Sequence, residues 1–180
     1  TKINKKDISY INKKFEIEKI INFKGIKQGI ENTNYLLKSK NKKFILTIFE
    51  KRVSQNEIPF FMKLMDQLNN SKINCPKPQK NKNGNYLVRI RKKSACIVSF
   101  LEGKDKKLLN LKNCHEIGKM IAGMHLSTKK INLSRKNSMG IKYLNPLLNS
   151  IKFKSKKFTN IEKFLKINFK DIKMKWPKKL

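Results

Sequence analysis

Two glycines, Gly25 and Gly29, bracket Ile26-Lys27-Gln28 between two segments that read as strands, residues 18–24 and 34–39. A residue without a Cβ lets backbone N–H groups close on an anion, so a turn of this kind suits phosphate oxygens. Two glycines at this spacing also occur in ordinary hairpins. Other reactive residue types are sparse. Cys75, Cys96 and Cys114 are odd in number and widely spaced, and with His115 and His125 they form no CxxC or HxxxH pair, so no zinc site is expected. Two of the cysteines lie in apolar stretches, as reduced, buried thiols of a cytosolic protein do. His125 follows the apolar stripe of a helical segment and reads as a structural histidine rather than a base.

The 180 residues carry 44 Lys+Arg against 12 Asp+Glu, a formal net charge of +32, and 38% are hydrophobic. That apolar content supports a core for one domain, or for one lobe with part of another. The longest apolar stretch, Ala95-Cys96-Ile97-Val98 continued past Ser99 by Phe100-Leu101, is far shorter than a membrane span. Thr1-Lys2-Ile3-Asn4-Lys5-Lys6 leads to Asp7 rather than to an apolar region, so the expectation is a cytoplasmic protein with no membrane partner.

Such a charge invites a nucleic-acid reading. Only Arg52, Arg89, Arg91 and Arg135 are arginine, however, and arginine is the side chain that grips phosphate and guanine with two parallel bonds. The lysines run along the whole chain, Asn and Ile are abundant, and Ala occurs only at 95 and 122. Lys, Asn and Ile share AT-rich codons, which accounts for the composition without a polyanion. The expectation is no nucleic-acid partner. The alternative, a basic nucleic-acid-binding protein, would associate tightly and with steep salt dependence.

The elements that would carry the glycine turn follow from periodicity. Asp7 reads as the cap of a short helix to Phe15, with Ile8, Ile11 and Phe15 on one face. Residues 18–24, 34–39 and 44–50 read as three strands of an antiparallel meander. Asn56 caps the next helix, with Pro59 in its first turn and Phe61, Leu64, Met65 and Leu68 on one face. Asn83-Gly84 is a hairpin signal ahead of strands at residues 86–91 and 94–101. A helix over about residues 113–129 carries Ile117, Met120, Ile121 and Met124 as a buried stripe. Phe158, Ile161, Phe164 and Leu165 mark a further amphipathic helix.

A glycine-bearing turn between two strands, a third strand, a helix and two more strands is the plan of a kinase small lobe. The segment Gly25-Ile26-Lys27-Gln28-Gly29-Ile30-Glu31-Asn32-Thr33-Asn34-Tyr35 resembles the "GIxxGxENxN" stretch of homoserine kinases of the aminoglycoside-phosphotransferase and choline-kinase-like type. Further matches follow in order: Phe44-Ile45-Leu46-Thr47-Ile48-Phe49-Glu50-Lys51-Arg52, Pro59-Phe60-Phe61 with Leu64-Met65, and Phe100-Leu101-Glu102-Gly103. His115-Glu116-Ile117-Gly118-Lys119, Met124-His125-Leu126 and Trp176-Pro177-Lys178-Lys179-Leu180 complete the set, so the resemblance runs over essentially the whole chain.

The resemblance implies an α+β, protein-kinase-like fold: an antiparallel five-stranded small lobe over residues 1–101, then the start of a helical lobe over 102–180. It implies ATP and Mg²⁺ as cofactors and L-homoserine as the acceptor, phosphorylated to O-phospho-L-homoserine on the route to threonine. A related small-molecule kinase acting on choline, an aminoglycoside or methylthioribose is the alternative. Gly25 and Gly29 match the glycine turn, and Asn32 and Asn34 match the family's asparagines, which either touch phosphate oxygens or close the turn and strand entry by hydrogen bonding. Thr47 stands where many kinases carry a strand-three lysine, a departure the homoserine kinase branch shares. Lys27 is a candidate for the compensating charge. Glu57 is the candidate helix acid, or simply a favourable charge at that helix's N-terminus. Ser99, Phe100 and Leu101 fall at the hinge, where backbone N–H and C=O would meet adenine. The family's "HxDxxxxN" loop and later "DF" segment are not matched, the aspartates being Asp7, Asp66, Asp105 and Asp171. Catalytic and metal-binding residues are therefore expected beyond Leu180. These 180 residues alone are expected to be inactive, with an apolar face left uncovered.

Overall fold

A computed structural model describes residues 1–27, 31–50, 54–103, 106 and 108–135, together with 143, 146, 163–164 and 167–168. Two compact units emerge, Thr1–Leu133 and Ser134–Leu180. In the first the order is α1 (Lys5–Lys14), β1 (Asn22–Ile26), β2 (Asn32–Lys38), β3 (Lys43–Phe49), α2 (Ile58–Asn70), β4 (Leu87–Ile90), β5 (Lys93–Ser99) and α3 (Leu111–Thr128). In the second, residues 163–164 and 167–168 are helical and Asn168 Nδ2 donates to the Phe164 carbonyl at 2.8 Å. Phe158, Ile161, Leu165 and the 176–180 motif lie outside the described residues.

The expected five-stranded antiparallel sheet is present, in the order β1-β2-β3-β5-β4. Alternation along the strands gives it two faces. On one, Tyr35 and Leu37 of β2, Phe44, Leu46 and Ile48 of β3, Val88 and Ile90 of β4, and Ala95 and Ile97 of β5 form a core with Ile8 and Ile11 of α1 and with Ile3, Phe15 and Ile20. On the other, Ile58 and Met62 of α2 are buried against Cys96 and Val98, with Ile45, Phe49, Phe61, Met65 and Leu87 packed around them.

Several local expectations shift, each for a physical reason. Asn4, not Asp7, caps α1: its side chain accepts from the N–H groups of Lys6 and Asp7, while the Asp7 carboxylate accepts from the Asn4 N–H at 2.8 Å. Asp7 is thus the far half of a capping box. The strand expected at 18–24 begins only at Asn22. Upstream, the Asn12 side chain takes both backbone groups of Ile20, accepting its N–H at 2.8 Å and donating to its carbonyl at 3.1 Å, so that segment needs no ladder. Glu57, not Asn56, stands at the N-cap of α2, with no side-chain cap bond, and Pro59 lies in the first turn as expected.

The Asn83-Gly84 signal does mark a tight turn, closed by Gly84 N–H to the Asn81 carbonyl, but it does not join β4 to β5. That job falls to Arg91-Lys92, at φ 50° and 65°. A two-residue loop with both φ positive is the hairpin turn that matches strand twist, and it normally favours Asn-Gly. Arg91 is held there by Asp7, 3.0 Å from its Nη2, and the Lys92 carbonyl accepts from Arg89. Lys92→Gly relieves the crowded left-handed backbone without touching the ion pair. A gain of about 1 kcal/mol is expected, read as a higher urea midpoint at unchanged slope.

Glu50, just past β3, gathers Lys93 Nζ, the Thr1 ammonium at 2.8 Å and Thr33 Oγ1 at 2.5 Å. Lys93 foremost, then the ammonium and the Thr33 hydroxyl, hold its carboxyl far below the ordinary carboxylate value of 4.5. A depressed carboxylate contributes stability that is complete above its ordinary value and is lost as pH falls below it. The melting temperature should therefore fall more steeply below about pH 4.5 in the unaltered chain than in Glu50→Gln, which starts lower at pH 7. Parallel pH profiles would count against this ion-pair cluster.

The stripe expected to be buried on α3 is not. Ile117, Met120 and Ile121 are 42%, 50% and 42% exposed, and α3 has no buried residue. It approaches the α2 side at Gly123, where a Cβ would stand 3.8 Å from Ile73 Cδ1, and Met120 lines a cleft with Lys72, Ile73 and Asn74. Of the stripe only Met124 is half-buried. No described helix is long and apolar enough to cross a membrane.

Candidate nucleotide site

On the α2 face of the sheet the register sets out three rows. Leu36, Ile45 and Val98 make an apolar row across β2, β3 and β5. Two residues further along, Asn34, Thr47 and Cys96 make a polar one, and Asn32 pairs with Phe49 beyond it. The cluster beneath α2 draws on β3, β4 and β5, while no described residue of β1 or β2 belongs to it. Among the described residues, the β1–β2 half of this face is therefore the part that α2 does not pack against.

Asn34 and Thr47, singled out separately in the sequence, are brought together. Thr47 Oγ1 donates to Asn34 Oδ1 at 2.9 Å across the β2–β3 pair. Asn32 Oδ1 is buried with no hydrogen-bond partner, an acceptor in want of a donor. Burial pushes the Cys96 thiol up to about 12, against a smaller opposing effect of the Thr47 backbone hydrogen bond, so this thiol is a neutral neighbour and not a nucleophile.

The hinge residues lie at the end of β5, beside the apolar row. Ser99 gives its N–H to the Lys77 carbonyl at 2.9 Å and accepts the Lys77 N–H on Oγ at 2.8 Å. Phe100 gives its N–H to the Lys43 carbonyl at 3.2 Å, and Lys43 Nζ sits 5.4 Å from the Phe100 ring centre while pairing with Glu102 at 2.7 Å. Two of the three hinge amides are thus committed to the sheet. Leu101, 41% exposed, is the one whose N–H has no backbone partner among the described residues.

The remaining candidates are placed as follows. Gly25 lies inside β1 opposite Tyr35, and a Cβ on it would meet Tyr35 Cε1 at 3.5 Å, an ordinary contact on the α1 face. Lys27 is exposed just past the end of β1, and Gly29 lies outside the described residues. Glu57 opens α2 and is already engaged in an interaction of its own. The apolar row of Leu36, Ile45 and Val98 was not singled out from sequence, although its alternation next to the hinge was the available signal. Among the described residues no three His, Cys, Asp or Glu side chains converge on a metal position.

A family model described as the phosphotransferase enzyme family matches residues 22–149, which include every element of this face. The chain belongs to that family. Its similarity to curated phosphotransferases is more specific. It is 37% identical over 136 residues to a homoserine kinase of Parvibaculum lavamentivorans, covering 76% of this chain and 42% of that one. Against a homoserine kinase of Rhodopseudomonas palustris the figures are 38% over 128 residues, 71% and 39%. Against that of Paramagnetospirillum magneticum they are 36% over 152 residues, 84% and 47%. The chain thus spans roughly two fifths to half the length of the curated relatives it matches.

Among solved structures, a spectinomycin phosphotransferase in complex with ADP and spectinomycin superposes with a TM-score of 0.60 at 13% identity, over 97% of this chain and 56% of that one. An amicoumacin kinase in complex with AMP-PNP and Ca²⁺ does so at 0.60 and 13%, over 84% and 55%. These likenesses place the phosphotransferase chain in the kinase-like α+β fold.

Proposed function

We propose that this chain is the nucleotide-binding part of a cytoplasmic homoserine kinase, which moves the γ-phosphoryl group of ATP to the hydroxyl of L-homoserine. The observation that carries the reading is its 36–38% identity with those three homoserine kinases over 71–84% of its length. Residues 1–101 act as the small lobe and residues 102–180 as the beginning of the helical one.

The face described above supports the nucleotide end of the reaction. Adenine takes the hinge, with the Ser99 carbonyl accepting, the Leu101 N–H donating and Phe100 fixing the strand between them. Leu36, Ile45 and Val98 supply an apolar bed for the base. An antiparallel strand advances about 7 Å in two residues, so the next row, Asn34 and Thr47, falls at the level of the phosphates, and Asn32 beyond it. The Leu101 N–H, which has no backbone partner among the described residues, fits a ligand that brings an acceptor. Gly25 and Lys27, in and just past the end of β1, adjoin the phosphates with Gly29 as a further contact, and Glu57 stands at the start of α2. Mg²⁺ accompanies the ATP, with no ligand assigned to it among these residues. Phosphoryl transfer is chiefly positioning and charge neutralisation, and this half of the work is the positioning of the donor.

Two measurements test the proposal. The chain titrated with ATP should bind it, and binding of single-stranded RNA at physiological salt in its place would overturn the reading. A chimera joining this chain to the C-terminal part of the Paramagnetospirillum enzyme that it does not match should release ADP when given L-homoserine and not when given choline. ADP release dependent on choline, or a folded chimera inert to homoserine, would refute the acceptor.

A further inference from the structure

We infer that the phosphates of the nucleotide are held on strand β3's neighbour by a neutral amide, Asn34 Nδ2, and that Thr47 is the positioning residue that aims it. This rests on the nucleotide reading above and goes past it by assigning a direction to one side chain. An asparagine amide has an accepting and a donating end, and the two look alike to their surroundings until a partner fixes them. In this structure the end turned to Thr47 is the accepting one. The Thr47 hydroxyl hydrogen is spent on Asn34 Oδ1 at 2.9 Å, so the accepting end points at β3 and the two N–H bonds of Nδ2 point away from it.

Nothing among the described residues accepts those two N–H bonds, and Nδ2 is not among the buried orphan atoms, so it reaches the part of the face that α2 does not pack against. The row partners leave it no competitor: Ile26 on β1 is apolar, and Cys96 beyond Thr47 is a buried neutral thiol. The pair sits one pleat repeat from the apolar row beside the hinge, at the distance a ribose bridges. A donor pair turned away from β3 and left without an acceptor among the described residues matches phosphate oxygens, which only accept. A neutral amide there replaces the point charge of a lysine by an oriented dipole, whose strength depends on the hydroxyl behind it.

The test uses this chain with ATP, ADP and adenosine as probes, by calorimetry. Thr47→Val keeps the shape and removes the hydroxyl. It should weaken ATP and ADP about tenfold while adenosine changes less than about twofold, the loss expected when one hydrogen bond to a charged group is misaligned. Thr47→Ser, which restores the hydroxyl, should return ATP affinity to within about twofold. Asn34→Ser, which leaves Thr47 intact, should show the same selective loss, and it decides the matter if Thr47→Val lowers the melting temperature. Equal weakening of ATP and adenosine, or unchanged ATP affinity in both Thr47→Val and Asn34→Ser, overturns the inference while leaving nucleotide binding standing. Failure of the unaltered chain to bind any of the three probes overturns the nucleotide reading itself, and this inference with it.

Discussion

Leu46→Ala is expected to cost about 3 kcal/mol and to lower the melting temperature by about 10 °C, the largest single-residue loss of stability in the sheet. Leu46 is fully buried on β3, the middle strand of the order, and stands directly between Tyr35 on β2 and Ile97 on β5. All three belong to the core under α1, with Phe44 and Ile48 two residues away on the same face. Strands on both sides prevent the hole from closing, so the transfer loss and the cavity add. Leu36→Ala, at a half-buried position on the opposite face, should cost less than about 1 kcal/mol. Urea titration of the two variants checks the contrast. A Leu46→Ala loss below that of Leu36→Ala would show that the α1 face is not the main source of stability.

Leu101→Pro is expected to weaken ATP binding about tenfold with the melting temperature held within about 2 °C. Proline deletes a single backbone donor. At Ser99 or Phe100 the same change would break the bonds to Lys77 or Lys43 and loosen the sheet, whereas the Leu101 N–H is not spent there. Its side chain is 41% exposed, outside the two buried clusters of the sheet. Because the lost donor is assigned to the base and not to the phosphates, adenosine should weaken in parallel with ATP, the reverse of the pattern expected for Thr47→Val. Unchanged affinity for both would remove Leu101 from the adenine contacts.

Periodicity made the five strands, the antiparallel meander of the first three and the three helices legible, because apolar residues recur at a spacing of two or of three to four, while the five-stranded antiparallel sheet as a whole was implied by the family resemblance. What escaped depends on partners distant in sequence. Arg91-Lys92 looks nothing like a hairpin turn, and only the Arg91–Asp7 pair, 84 residues apart, explains an arginine at positive φ. The late start of β1 turns on one asparagine, Asn12, which takes over the backbone groups of Ile20. On α3 the apolar spacing foretold a helix and could not foretell what lies against it. For the candidate site, the motif picked out Asn34 and Thr47, but the bond joining them belongs to the strand register, which no linear spacing prints.

The pleat of β3 also separates two kinds of inheritance. Phe44, Leu46 and Ile48 answer to whether the protein folds, and on the nucleotide reading proposed above Thr47, one step away on the other face, answers to what the protein holds. A lineage can rewrite the second without eroding the first. Variation along this strand among descendants should therefore come in alternate letters, the quiet ones recording ancestry of fold and the changeable ones recording changes of ligand.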